Sequence, residues 1–254
     1  EYFVIKNLSN KQAHETLYKT FLQRKNEFDF FVKIDADMVL ARKDFFKLLI
    51  QEFQTKPQFD HFLIKVKDFF TDRLIYGLHA FQNKVQFTDT RDPYFVDYVF
   101  SNTNKLNFDD PAHPLVPAAY HSPDPSEFQS FHFGLHKGVK IVQKGIKHKD
   151  YDLGFAHFIN IKLIIKNYCQ KKDKRLLFAY IGSLWALYER LDNRFVDFNY
   201  EPTKLKYKNT SEKTEQQLIH LKKKYEKRLV DFLPNKFQFE WLMLRNNIFE
   251  YRFL

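Results

Sequence analysis

Two carboxylates two residues apart, Asp35 and Asp37, close the run Phe28-Asp29-Phe30-Phe31-Val32-Lys33-Ile34. Side chains two apart on an extended backbone point to the same side. The sequence therefore predicts that both carboxylates address one ion. Oxygen ligands suit Mg²⁺ or Mn²⁺, and such an ion can neutralise the charge that builds on a departing diphosphate. Composition alone produces bare Asp-x-Asp patterns. What sets this one apart is the apolar strand before it, because charge there is costly unless it is solvated or liganded. The competing reading is two solvated loop carboxylates, one of them capping the next helix.

The elements around the pair read as an α/β fold. Residues 2–5 (Tyr-Phe-Val-Ile) read as a strand, and Ser9-Asn10 can cap a helix over 11–25 with Ala13, Leu17, Phe21 and Leu22 at helical spacing. A strand over 28–34 and a helix over 43–54 follow, the helix burying Phe45, Phe46, Leu48, Leu49 and Phe53. Strand–helix–strand–helix order predicts parallel strands with crossover helices, and ligands of open α/β sheets gather at the strands' carboxyl ends. Further on, 61–67 reads as a strand, 73–80 and 84–88 as a hairpin around Gln82-Asn83, 101–117 as an Asn-, Asp- and Pro-rich loop, and 115–120 as a short strand. Helices are predicted over 126–142, 155–169 and 174–192. A polar linker follows (Lys204 to Thr214), then a charged helix over 211–232 and an aromatic-rich tail.

A 44% hydrophobic content over 254 residues supports a substantial core and excludes a disordered chain. A net charge of +10 favours anionic partners without choosing among nucleotides, nucleic acid and acidic membranes. Cys169 is the one cysteine, which excludes an intrachain disulfide framework or a cysteine zinc site and points to a reducing, cytoplasmic setting. No apolar run approaches the roughly 20 residues of a membrane span, and no secretory signal is visible. The chain opens without Met on an apolar run, so it reads as a piece of a longer protein whose first strand is missing.

The stretch Phe31-Val32-Lys33-Ile34-Asp35-Ala36-Asp37-Met38 resembles the Asp-x-Asp strand of GT-A glycosyltransferases, close to the broad family-2-like group. Asn10-Lys11-Gln12-Ala13 resembles that family's second-strand-to-helix segment, and the resemblance covers about residues 1–190. It implies a GT-A-like mixed sheet flanked by helices over 1–200, with a basic helical C-terminal extension over 201–254. It implies transfer of a sugar from a nucleotide-diphosphate donor, with Mn²⁺ or Mg²⁺, to a glycan or lipid-linked hydroxyl acceptor, as in surface polysaccharide synthesis. These enzymes often take a third metal ligand from a late loop, frequently a histidine, which makes His121 a candidate; it reads equally as a loop histidine. They place a carboxylate base between the acidic pair and that loop, which points to Asp97 first and Asp92 second; each is equally a loop or cap residue. Asp68 and His79 are weaker candidates for lining the sugar site.

Gln129-Ser130-Phe131-His132-Phe133-Gly134 resembles a Gln-x-x-Arg-aromatic segment of the same group, with His132 where Arg would stand. Gln129, His132, His136 and Lys140 share one helix face. That face could line the diphosphate or acceptor, or be the polar side of a helix whose apolar side carries Phe128, Phe131, Leu135 and Val139. A zinc site on His132 and His136 lacks a third ligand. Leu218, Leu221, Tyr225, Leu229 and Phe232 form an apolar stripe through Lys222, Lys223, Lys224, Lys227 and Arg228. Such a helix could rest peripherally on the inner face of an anionic membrane or pack on its own core. Two other functions fit less of the sequence: a sugar nucleotidyltransferase, whose Gly-rich phosphate loop is not visible, and a non-enzymatic nucleic-acid-binding module, which has no signature here.

Overall fold

Alternate residues of strand β1 (Phe30–Lys33) face opposite layers. Phe30 and Val32 join a core cluster with Phe45, Leu49 and Phe53 of helix α2 (Phe45–Thr55). Phe31 joins another with Tyr18 and Phe21 of helix α1 (Asn10–Arg24). A strand that buries both faces needs cover on each, so the fold is mixed α/β with a helix on either side of the sheet. The computed structural model describes residues 2–88, 99–101, 104–144 and 151–227. The chain divides into two units, Glu1–Asp124 and Pro125–Leu254.

In the first unit, β2 (Met38–Leu40), β3 (His61–Asp68), β4 (Leu74–Gln82), β7 (Lys105–Phe108) and β8 (Ala119–His121) join β1 in a six-stranded sheet ordered β1-β4-β3-β8-β2, with β7 also on β3. β1 and β3 run the same way, as strand–helix–strand order predicts. They are not neighbours, however, because β4 folds back from β3 and inserts antiparallel between them. The sheet is therefore mixed, and its parallel pairs are β3 with β7 and β3 with β8. The expected hairpin is displaced: β4 pairs with β3, while β5 (Gln86–Thr88) pairs with β6 (Val99–Ser101).

The sheet is curled. Ile34–Asp37 alone connects β1 to β2, at opposite ends of the strand order. Five Cα steps reach at most about 18 Å. Four strand spacings of about 4.8 Å already exceed that in a flat sheet, before the offset along the strands is added.

Residues 2–5 do not form the predicted strand. Among the described residues no strand pairs with them, and Tyr2 and Val4 stay exposed. Phe3 instead stands edge-on to Phe28, with Arg24 over both rings. Ser9 caps α1 as expected, in a capping box with Gln12.

The second unit is helical: α3 (Glu127–Lys144), α4 (Tyr151–Lys171), α5 (Lys174–Glu189), a 3-10 turn (Asn193–Val196), α6 (Glu201–Ser211) and α7 (Glu215–Glu226). α5 is buried from Leu176 through Leu187. It lies unusually close to α3, since a Cβ on Gly134 would stand 1.6 Å from the Ala179 carbonyl oxygen and one on Gly182 2.1 Å from that of Phe131. The predicted polar linker is mostly helix α6. Pro202 suits its first turn, and the buried Thr203 and Thr210 donate their hydroxyls to the Phe195 and Lys206 carbonyls. These local bonds carry no apolar periodicity, which is why the helix was hidden. α7 begins at a Thr214–Gln217 capping box and buries Leu218 and Tyr225 of the basic stripe. Tyr168 and Tyr180 donate to Glu215 and Glu226 on it. Leu229 and Phe232 lie outside the described residues. Among the described residues, no helix is long and apolar enough to cross a membrane.

Candidate functional site

The carboxyl ends of β3 and β8 bring the site together. These strands run parallel with Asp68 opposite His121, and β2 runs antiparallel to β8 with Met38 opposite His121. Asp37, one residue before β2, therefore arrives beside His121. His121 Nε2 stands 3.3 Å from Asp37 Oδ2, and its Nδ1 stands 2.7 Å from Asp68 Oδ1.

Asp35 and Asp37 do not sit on an extended backbone. The chain turns at 35–38, with the Met38 N–H donating to the Asp35 carbonyl. The same-side expectation from strand geometry is corrected accordingly. A chain that must cross from β1 to β2 in four residues has to bend there. Asp35 is the more open carboxylate of the two, 3.5 Å from Lys33 Nζ.

Asp37 is fixed from two directions. Ser122 donates its backbone N–H to the Asp37 carbonyl at 2.7 Å and its hydroxyl to Asp37 Oδ2 at 2.6 Å. Ser122 is buried and holds φ 47°, the left-handed region that a side chain disfavours. Such backbone persists where surrounding bonds over-determine it, and it clusters at functional sites.

Asp68 is fully buried, which for a carboxylate requires partners. Thr71 supplies two, its N–H at 2.7 Å and its hydroxyl at 2.6 Å, both to Oδ2. The turn that presents Thr71 is closed by the Asp68 N–H donating to the Arg73 carbonyl, with Asp72 at φ 56°. Oδ1 is left for His121. Burial alone would push the Asp68 carboxyl up; the hydrogen bonds from His121 and Thr71 outweigh it and hold the carboxyl below its usual range.

The donors suit a divalent cation in type and spacing. Two ligands at about 2.1 Å from one ion and at right angles stand about 3 Å apart, close to the 3.3 Å between Asp37 Oδ2 and His121 Nε2. A buried carboxylate on the far ring nitrogen is the arrangement that orients metal-binding histidines. Among the described residues, no three His, Cys, Asp or Glu side chains gather into a metal-holding group. Among the described residues Asp37 and His121 are the two donors that converge, and phosphate oxygens and water would complete the shell, as is usual for such ions at phosphate sites.

No family model matches the chain, and neither a curated protein nor a solved structure matches it.

Asp92 and Asp97 lie outside the described residues. His79 sits on β4, with its Nδ1 3.1 Å from Nε2 of the buried His61 and both rings stacked on Phe81. Burial, then His79 and Lys105, push His61 down to about 3. Gln129, His132, His136 and Lys140 belong to the second unit. Gln129 and Ser126 form the reciprocal side-chain bonds of a cap on α3. His132 donates from Nε2 to the Val196 carbonyl at 3.0 Å. Its burial lowers it to about 4, against the opposing pull of Val196 and Asp197. Desolvation, then Lys140 and Lys137, push His136 well below its ordinary value.

Sequence reasoning missed three contributors: Asp68 as a partner of His121, Thr71 as its anchor, and Ser122 as the clamp on Asp37. Asp68 and Thr71 carried a faint signal, a strand-ending carboxylate with a hydroxyl three residues on, the spacing of a local side-chain turn. Ser122 carried none beyond its adjacency to His121.

Proposed function

We propose that the chain is a metal-dependent glycosyltransferase of the GT-A type, transferring a sugar from a nucleotide-diphosphate donor to a hydroxyl acceptor in glycan or surface-polysaccharide synthesis. The observation that carries this reading is the convergence of Asp37 and His121, 3.3 Å apart at the carboxyl ends of parallel strands. The acidic pair marks the first of these positions in sequence, and the resemblance points to a late histidine for the second.

Asp37 and His121 would hold Mn²⁺ or Mg²⁺, with Asp35 on the more open side. The mixed oxygen and nitrogen donors favour Mn²⁺ over the all-oxygen preference of Mg²⁺. When bound, the ion neutralises charge on the diphosphate leaving group. Ser122 keeps the Asp37 carboxylate oriented, and Asp68 does the same for the His121 ring. Should the reaction invert the anomeric centre, a carboxylate must deprotonate the acceptor hydroxyl. The resemblance points to Asp97 for that role, with Asp92 second.

The test is calorimetric titration of UDP, GDP, CDP and ADP with and without Mn²⁺. Mn²⁺-dependent binding of one nucleotide, lost in Asp37→Asn, is the expected result. Binding indifferent to both metal and mutation would remove the basis of the proposal. Salt-sensitive, metal-independent binding to arbitrary nucleic acid would point to a binding module instead.

A further inference from the structure

We infer that Asp68 is a positioning residue that fixes the tautomer of His121, so that Nε2 is the ring atom presented toward Asp37 and the incoming ion. The inference rests on the metal reading above and deepens it.

The hydrogen-bond inventory around Asp68 leads to this conclusion. Asp68 Oδ2 is engaged by the Thr71 N–H and hydroxyl. Oδ1 lies 2.7 Å from His121 Nδ1. A carboxylate only accepts, so Nδ1 must carry the hydrogen. In the neutral ring Nε2 then keeps its lone pair and faces Asp37 Oδ2 at the longer distance of 3.3 Å, a pair of acceptors that a cation or a second ring proton between them would satisfy. A neutral ring with the hydrogen on Nε2 would move that mismatch to the shorter, 2.7 Å contact, setting Nδ1 against Oδ1 of a fully buried carboxylate, the costlier arrangement. A carboxylate needed only to close the β3–β4 turn would not have to face a histidine from another strand. Asp68 is placed opposite His121 by strand register.

Asp68→Asn gives a sharp test because the pocket dictates how the amide must sit. The Thr71 backbone N–H can only donate, so the amide oxygen faces Thr71 and the amide NH₂ faces His121 Nδ1. The ring must then accept at Nδ1 and carry its hydrogen on Nε2, the wrong tautomer for ligation. A purely structural Asp68 would lose stability on this change without moving the tautomer.

The experiment uses the full chain with ¹⁵N-labelled histidine. The chain holds ten histidines, and the His121 ring signals are identified by their loss in His121→Gln. Ring nitrogen shifts and two-bond couplings are read without metal, at a pH where the ring is neutral. Mn²⁺ alone is then added and followed by electron paramagnetic resonance, both for affinity and for coupling to a histidine nitrogen. The expected result is hydrogen on Nδ1 in the wild type and on Nε2 in Asp68→Asn, with Mn²⁺ binding weakened about 10–100-fold and the histidine coupling lost. Hydrogen on Nε2 in the wild type overturns the inference with no variant needed, so a misfolded Asp68→Asn leaves it falsifiable. An unchanged tautomer in a folded Asp68→Asn overturns it too, even where wild-type Mn²⁺ couples to His121. If the tautomers behave as expected but wild-type Mn²⁺ shows no histidine coupling, the metal reading fails and the inference falls with it.

Discussion

His121 Nε2 and Asp37 Oδ2 stand 3.3 Å apart, joined by the pairing of β2 with β8. Both are held from behind, His121 by a buried carboxylate and Asp37 by a serine in left-handed backbone. Pre-set donors of this kind lose little freedom when an ion binds, which is how a supporting layer of hydrogen bonds strengthens a site.

The first prediction separates the two members of the acidic pair. Asp37→Asn and His121→Gln should each weaken Mn²⁺-dependent nucleotide binding by at least about tenfold, the lower end of what losing even an outer partner costs. Asp35→Asn should cost less, because Asp35 is more open and lies near Lys33 rather than His121. Isothermal titration of the three variants checks the order; an Asp35 effect larger than that of His121 contradicts it.

Acid should destabilise the fold well above the usual carboxylate range. Buried His61 and His132 have folded values near 3 and 4, below the unfolded 6.5. A depressed folded value means that the unfolded chain binds the proton first. The stability from a neutral buried ring is therefore full above pH 6.5 and lost as pH falls from there toward 4. Each group contributes a slope of at most about 1.4 kcal/mol per pH unit in that window. Urea melts from pH 7.5 to 4.5 should show the decline, and His132→Gln, which can still donate to the Val196 carbonyl, should flatten it. A slope unchanged in both His132→Gln and His61→Gln would refute the assignment.

Packing of α3 on α5 gives a third prediction. A methyl group at Gly134 would overlap the Ala179 carbonyl, which is backbone and cannot swing aside. Gly134→Ala should therefore destabilise the protein by about 1–3 kcal/mol or more through overpacking, although alanine favours helix by about 1 kcal/mol. A denaturation midpoint equal to or above wild type would show that the helices can separate freely.

Much of the layering was legible in the sequence. Phe30, Phe31 and Val32 lie on a short apolar strand, and of the five residues expected on the buried face of α2, Phe45, Leu49 and Phe53 are buried, Leu48 is partly buried and Phe46 is exposed. Topology was less legible, because nothing local to residues 74–82 says that they insert between β1 and β3. The site divides the same way. Asp37 stood out because an apolar strand ends nearby. Asp68 looked like any strand-ending acid until β8 was set beside β3, a pairing made by residues more than fifty positions apart. α6 hid because its stabilising bonds come from Thr203 and Thr210 hydroxyls rather than from an apolar stripe.

Turnover tests the central claim most directly. UDP-, GDP-, CDP- and ADP-sugars would be incubated with the chain in Mn²⁺ or in EDTA, and release of the nucleoside diphosphate followed for wild type, Asp37→Asn and His121→Gln. The account predicts release from one nucleotide class, in Mn²⁺ only, and its loss in both variants. Release that persists in EDTA, or in either variant at the wild-type rate, would contradict it.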